Sequence, residues 1–134
     1  MIGLVIVTHG ALAQELRCAA EHVVGPMAHM QTVCIAADEN LEHASDAIRG
    51  AIETVDMGRG VLVLTDMFGG TPSNLSISFL KENHVEVVAG ANLPMLIKLS
   101  EARETQNLND AARTAVQAGR HYIAIASEII AGDD

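Results

Sequence analysis

His9 and Asp66 are the side chains in this 134-residue sequence whose types and surroundings suit group transfer. His9 lies in Thr8-His9-Gly10, directly after the apolar run at residues 2–7, and Asp66 follows Thr65 after the run at residues 61–64. A neutral imidazole is a nucleophile through one ring nitrogen when the other carries the proton and is held. A carboxylate accepting that N–H fixes the tautomer and steadies the charge that develops on attack. Shortly beyond Asp66 comes Gly69-Gly70-Thr71-Pro72-Ser73-Asn74. The glycines permit a sharp turn. Thr71 reads as a helix N-cap and Pro72 as the first helical residue, which leaves the N–H groups of Ser73 and Asn74 facing out of the helix mouth, where an anion can bind. The hydroxyls of Thr8, Thr65, Thr71 and Ser73 add donors. The expected phosphate-binding set is therefore Thr8, Thr65, Gly70, Thr71, Ser73 and Asn74, beside a nucleophilic His9 oriented by Asp66.

Each half of this constellation is weak alone. A histidine after a strand is usually structural, and Asp-x-x-Gly-Gly is usually only a turn. The elements around them give the pairing its force. Residues 2–7, 31–35, 61–64 and 85–88 are short β-branched runs that read as buried parallel strands. Between them lie helical patterns at residues 11–24, at 41–55 behind the cap Asn40, and from 72 to about 82, the last burying Leu75, Phe79 and Leu80. A short helix at 93–100 and another after the cap Asn107, with Gly119 at its C′ position, follow, and residues 122–125 read as a final strand. Leu12, Leu16, Ala19, Ala20 and Val23 are expected to face the core from the first helix, and Leu41, Ala44, Ile48, Ile52 and Val55 from the second. Strands alternating with helices predict an α/β domain spanning 1–134, an open parallel sheet with helices on both faces. Ligands of such sheets bind beyond the carboxyl ends of the strands, where strand order reverses. In the order 2-1-3-4 the first and third strands are neighbours, and His9 meets Asp66.

Composition narrows the class. The formal charge of −9 argues against nucleic acid and fits a partner with a basic docking face. Apolar residues make up 49% and aromatics 2%, so the core must be built from Ala, Val, Leu, Ile and Met. Cys18 and Cys34 lack metal-ligand spacing and are expected to be buried free thiols, which suits a reducing cytoplasm. No run approaches the ~20 apolar residues of a membrane span, and the amino terminus has no signal-peptide pattern. There is no Gly-Lys-Ser/Thr phosphate loop and no acidic cluster for magnesium, so no cofactor or metal is expected. Met27, Met67 and Met95 are candidates for a soft docking rim, with core packing the alternative for each. His22, His29, His43, His84 and His121 read as surface or structural. The acidic tail, Gly132 to Asp134, is expected to fray.

Three motifs carry a resemblance: residues 6–10 (Ile-Val-Thr-His-Gly), 65–74 (Thr-Asp-Met-Phe-Gly-Gly-Thr-Pro-Ser-Asn) and 88–96 (Val-Ala-Gly-Ala-Asn-Leu-Pro-Met-Leu). In order and spacing the sequence resembles the enzyme IIA component of the mannose family of the bacterial phosphoenolpyruvate-dependent sugar phosphotransferase system. The resemblance implies a phosphoryl group on Nε2 of His9, with Nδ1–H held by Asp66. It further implies HPr as donor, a IIB domain as acceptor, and a cytoplasmic homodimer. The sheet order would be 2-1-3-4, with an antiparallel last strand at residues 122–125 exchanged between subunits. The sequence ends soon after that strand and is expected to be free-standing. A regulatory role read out through phosphorylation state stays open. So does a place in a dihydroxyacetone kinase phosphotransfer system. A receiver domain would need an acidic pair after its first strand and a late lysine. A histidine phosphatase would need an arginine before His9. A chelatase would leave Asp66 and the glycine turn unexplained.

Overall fold

The computed structural model describes residues 1–132, so Asp133 and Asp134 of the acidic tail lie outside the described residues. Four parallel strands, β1 (Gly3–His9), β2 (Met30–Ile35), β3 (Val61–Thr65) and β4 (Val85–Ala89), form one sheet in the order β2-β1-β3-β4. β3 and the first six residues of β1 are wholly buried, as strands covered on both faces must be. Side chains alternate between the faces. Leu4, Ile6, Leu62 and Leu64 enter one core with residues of α1 (Leu12–Val24), α4 (Leu93–Thr105) and α5 (Leu108–His121). Val5, Val7, Val61 and Val63 enter the other, with α2 (Leu41–Val55) and with Leu75 and Phe79 from α3 (Thr71–Ile77) and the turn beyond it. β1 runs through His9 rather than stopping at Val7, and this places the imidazole on a rigid strand end.

Asn40 and Asn107 cap their helices as expected. Their side-chain oxygens accept the N–H of His43 at 3.0 Å and of Asp110 at 2.8 Å. Several other expectations are corrected. α1 buries Ala13 and Ala20, with Leu16 half-buried, while Leu12 and Val23 face outward; small residues let this helix lie close to the sheet. Leu41 likewise stays exposed at the start of α2. α3 stops at Ile77 instead of reaching residue 82. Ser76 and Ser78 donate their hydroxyls to the carbonyls of Pro72 and Leu75, both at 2.6 Å, and the last turn tightens to i→i−3 bonds that leave Leu80 exposed. α4 extends five residues past residue 100, to Thr105. The charged Arg103 hid that extension, but it is buried and donates to the carbonyls of Ile2 and His29, both at 2.9 Å.

Gly119 lies inside α5 rather than at its C′ position; a Cβ there would stand 3.0 Å from the Met95 side chain. Cys18 and Cys34 are free and exposed, not buried, because one occupies the outer face of α1 and the other the edge strand β2. Met27 and Met95 belong to the core, and Met67 alone of the three is exposed. Residues 122–125 form no strand within this single chain. They lead to α6 (Ala126–Ile130), and both segments are exposed throughout. No described helix is long and apolar enough to cross a membrane.

Candidate active site

The registers of the sheet bring the pair together. Val7 lies opposite Thr65 and His9 opposite Ile35, so His9 and Asp66 both lie just past the paired ends of β1 and β3. Asp66 Oδ2 accepts the backbone N–H of His9 at 3.0 Å and stands 2.8 Å from its Nδ1. Asp66 Oδ1 accepts the N–H of Met67 at 3.0 Å. Burial pushes the Asp66 carboxyl up, but the hydrogen bonds from the His9 backbone and ring, with the ring's charge in the acid range where it is protonated, together hold it below the ordinary aspartate value. It is therefore ionised at neutral pH and can only accept. Nδ1 carries the imidazole proton, and Nε2 is left with its lone pair free. The exposures match that division of labour, 51% for the His9 side chain and 13% for that of Asp66.

Gly70 closes the other side of the ring. A Cβ at this position would stand 2.7 Å from His9 Cε1 and 3.1 Å from Nε2. Its backbone is extended, with φ −88 and ψ 171, so close approach and not a special conformation requires glycine here. Gly69, at φ +94, makes the turn itself.

The expected phosphate set divides. Gly70, not Thr71, is the N-cap of α3, and Thr71 and Pro72 fall in its first turn without a side-chain cap. Thr71 lines a groove of about 270 Å³ together with His9, Gly10, Ile35, Glu39 and Leu41. The Asn74 N–H is taken by the Gly70 carbonyl at 2.9 Å, so it is not a free donor. The N–H groups of Thr71 and Ser73 precede that bond and lie in the unsatisfied first turn. Thr8 is withdrawn from the site. It alternates with His9 to the other face of the sheet, and its buried hydroxyl accepts the Ala13 N–H at 2.7 Å, tying down the start of α1. Thr65 Oγ1 and Ser73 Oγ are buried with no hydrogen-bond partner among the described residues. Such atoms are costly to leave unmatched.

Sequence reasoning singled out Met67 as a docking-rim candidate but missed the other exposed apolar side chains that follow the carboxyl ends of the strands. Phe68 is 75% exposed, Leu41 57%, Met67 56% and Leu12 44%. Phe68 carried a signal, since the chain has two Phe and one Tyr and this aromatic falls in a glycine turn where no core reaches it. Leu12 and Leu41 carried none, because helical periodicity assigns them inward. Glu39 on the groove wall was also missed.

A parallel α/β sheet with a half-exposed imidazole held by a carboxylate on its carboxyl edge defines the class of protein. Comparison with known proteins gives the particular family. The EIIA-man family, described as PTS system fructose IIA component, matches residues 3–116. The chain is 32% identical over 124 residues to the PTS system mannose-specific EIIAB component of Escherichia coli K12, covering 91% of this chain and 38% of that protein. It is 30% identical over 111 residues to the PTS system fructose-specific EIIA component of Bacillus subtilis, covering 82% and 76% respectively. The solved mannose/sorbose specific IIA subunit of Enterococcus faecalis superposes with a TM-score of 0.83 at 26% identity, over 92% of this chain and 93% of that one. The chain belongs to the mannose-type family of phosphotransferase-system IIA components, and it spans less than half the length of the Escherichia coli relative it matches.

Proposed function

We propose that this protein carries a phosphoryl group on Nε2 of His9, receives it from phosphorylated HPr and passes it to a IIB partner. The observation that carries the reading is the 2.8 Å contact from Asp66 Oδ2 to His9 Nδ1, which leaves Nε2 free on a ring that is half in solvent. In the forward step the Nε2 lone pair attacks phosphorus. The P–Nε2 bond forms as the phosphorus–nitrogen bond to the donor imidazole breaks, and that imidazole leaves with the electron pair. Asp66 holds the Nδ1 proton throughout and offsets the positive charge the ring acquires. The phosphoryl oxygens meet the first turn of α3: the N–H groups of Thr71 and Ser73, the Thr71 hydroxyl, and the close backbone of Gly70. The orphaned hydroxyls of Thr65 and Ser73 are further donors to that charge, and the side chain of Asn74 stands at its edge. Catalysis is positioning and charge stabilisation.

The dimer belongs to the same proposal. Residues 122–125 place Tyr122, Ile123 and Ile125 in solvent, and β4 is an open edge of the sheet. Exchange of this segment onto the β4 edge of a second copy would pair that edge and cover the apolar side chains.

The test is transfer from labelled phosphoenolpyruvate through enzyme I and HPr, with His9→Ala alongside. An acid-labile, alkali-stable label that vanishes in His9→Ala is expected. No label with active enzyme I and HPr overturns the donor assignment. Chasing the label into IIB, or into a dihydroxyacetone kinase, separates transport from that alternative. A label that moves to neither assigns a regulatory role.

A further inference from the structure

The motif at residues 88–96 contributes no group to the phosphoryl site, yet it is bonded to the residue that precedes Asp66. β4 ends with Ala89 opposite Thr65. The chain then turns at Gly90, φ +90, and the N–H groups of Gly90 and Ala91 both donate to the Thr65 carbonyl, each at 2.9 Å. Both lone pairs of that oxygen are then engaged, and the peptide joining Thr65 to Asp66 is held in one orientation. Asn92 fixes the turn in its place. Its Oδ1 accepts the Met95 N–H at 3.1 Å and caps α4, while its Nδ2 donates to the Gly119 carbonyl of α5 at 2.9 Å. Asn40 and Asn107 cap their helices through oxygen in the same way. Capping requires only that oxygen, and Ser or Asp would supply it as well. The amide end of Asn92 does something further: it ties the turn to a second helix. Gly119 has no side chain to hold that helix off, since a Cβ there would stand 3.0 Å from the Met95 methyl.

We propose that Asn92 is a positioning residue for phosphoryl transfer, acting through the Thr65 carbonyl to hold Asp66 against His9. The inference rests on phosphoryl carriage by His9 and adds to it what keeps the carboxylate in place. Asp66 lies one residue past the end of β3, so its side chain inherits any tilt of the peptide before it. Oδ2 serves His9 twice, at the backbone N–H and at Nδ1, and a tilt that keeps one bond loosens the other. A misplacement of about 1 Å costs roughly 100-fold in rate, and release of one anchor behind the carboxylate is a smaller disturbance, worth about 10-fold.

The test uses two variants and two donors. Asn92→Ser keeps a capping oxygen and removes the bond to Gly119. Asn92→Asp keeps the cap and the shape but turns an oxygen toward the Gly119 carbonyl, in case Ser loosens α4. Phosphorylated HPr is the protein donor. Phosphoramidate is the small one; its P–N bond breaks as P–Nε2 forms, and ammonia leaves with the electron pair. Both variants should be labelled about 10-fold more slowly, by the same factor from either donor, through kcat with the KM for phosphorylated HPr held. The His9 Nδ1–H resonance should move upfield as its bond to Asp66 loosens, with urea midpoints near that of the wild type. In an Asp66→Asn background Asn92→Ser should slow labelling little further, because the route it acts through is already cut. Wild-type rates in both variants, a loss from HPr alone, or a full 10-fold added to that of Asp66→Asn overturns the inference and leaves His9 as the carrier. No label on the wild type from either donor instead removes the carrier reading, and this inference with it.

Discussion

At the carboxyl edge of β1 and β3, both oxygens of Asp66 are occupied, and the His9 ring is held on one side at 2.8 Å and abutted on the other by Gly70. Residues 122–130 differ in every respect. All are exposed, and Tyr122, Ile123, Ile125, Ile129 and Ile130 are each more than half in solvent. The first region completes its contacts within one chain, while the second offers apolar surface and satisfies none of it. A site for chemistry has to be rigid before its partner arrives, since misplacement of the nucleophile costs rate directly. An association segment has to stay open until its partner arrives, since an apolar face satisfied within the chain has nothing left to contribute.

If that division is real, the two regions can be broken separately. The largest effect expected is on association. Replacing Ile123 and Ile125 by Asp should convert the proposed dimer into a monomer in sedimentation equilibrium, because a charge buried in an apolar interface is heavily penalised. The His9–Asp66 contact lies elsewhere in the fold, so labelling of His9 by phosphoramidate should persist in the monomer. Loss of that labelling would show that the two regions are one unit.

Asp66→Asn breaks the other side. The substitution puts an amide in place of an acceptor-only carboxylate, and the proton is no longer fixed on Nδ1. Removing the carboxylate behind a working imidazole costs roughly 10–100-fold where metal-bound histidines have been measured. A fall of that order in phosphorylation rate is expected, with the oligomeric state unchanged. A wild-type rate would remove the orienting role. Gly70→Ala should be milder and more local. Its Cβ would press on Cε1 of His9, and the ring or the α3 turn must shift by several tenths of an ångström. Labelling should slow several-fold, with circular dichroism unchanged and the His9 ring resonances displaced.

The first region was legible in the sequence; of the second, only a strand-like composition was, and its exchange between subunits came from the resemblance. His9 and Asp66 follow continuous apolar runs, and parallel strand order alone brings such ends together. The buried central strands and the caps at Asn40 and Asn107 followed from local physics too. Thr8 did not, because its hydroxyl serves whichever element lies on its face of the sheet, and strand alternation was not carried to the last residue. Asn74 failed by one helical position: Gly70 caps α3 in place of Thr71, so the Asn74 N–H is already inside the ladder. The end of α3 and the extent of α4 were hidden by side chains that bond to backbone, Ser76 and Ser78 in one case and Arg103 in the other. Residues 122–125 read as a strand by composition, but strand character is realised only by pairing, and no strand among the described residues pairs with them.

The smallest effect expected is on stability in acid. The Asp66 carboxyl sits below its ordinary value in the folded protein, because the hydrogen bonds and charge from His9 outweigh burial. The unfolded chain therefore takes up this proton first as pH falls, at about the usual 3.9. Stability contributed by Asp66 is fully present above that value and is lost as pH falls through the lower folded one. Urea midpoints measured from pH 6 down to pH 3 should fall for the wild type more steeply than for Asp66→Asn, with the two curves converging at the acid end. Parallel curves would mean that the contacts of Asp66 orient His9 without stabilising the fold, and the rigidity of the site would then have to come from the strand ends and the close approach of Gly70.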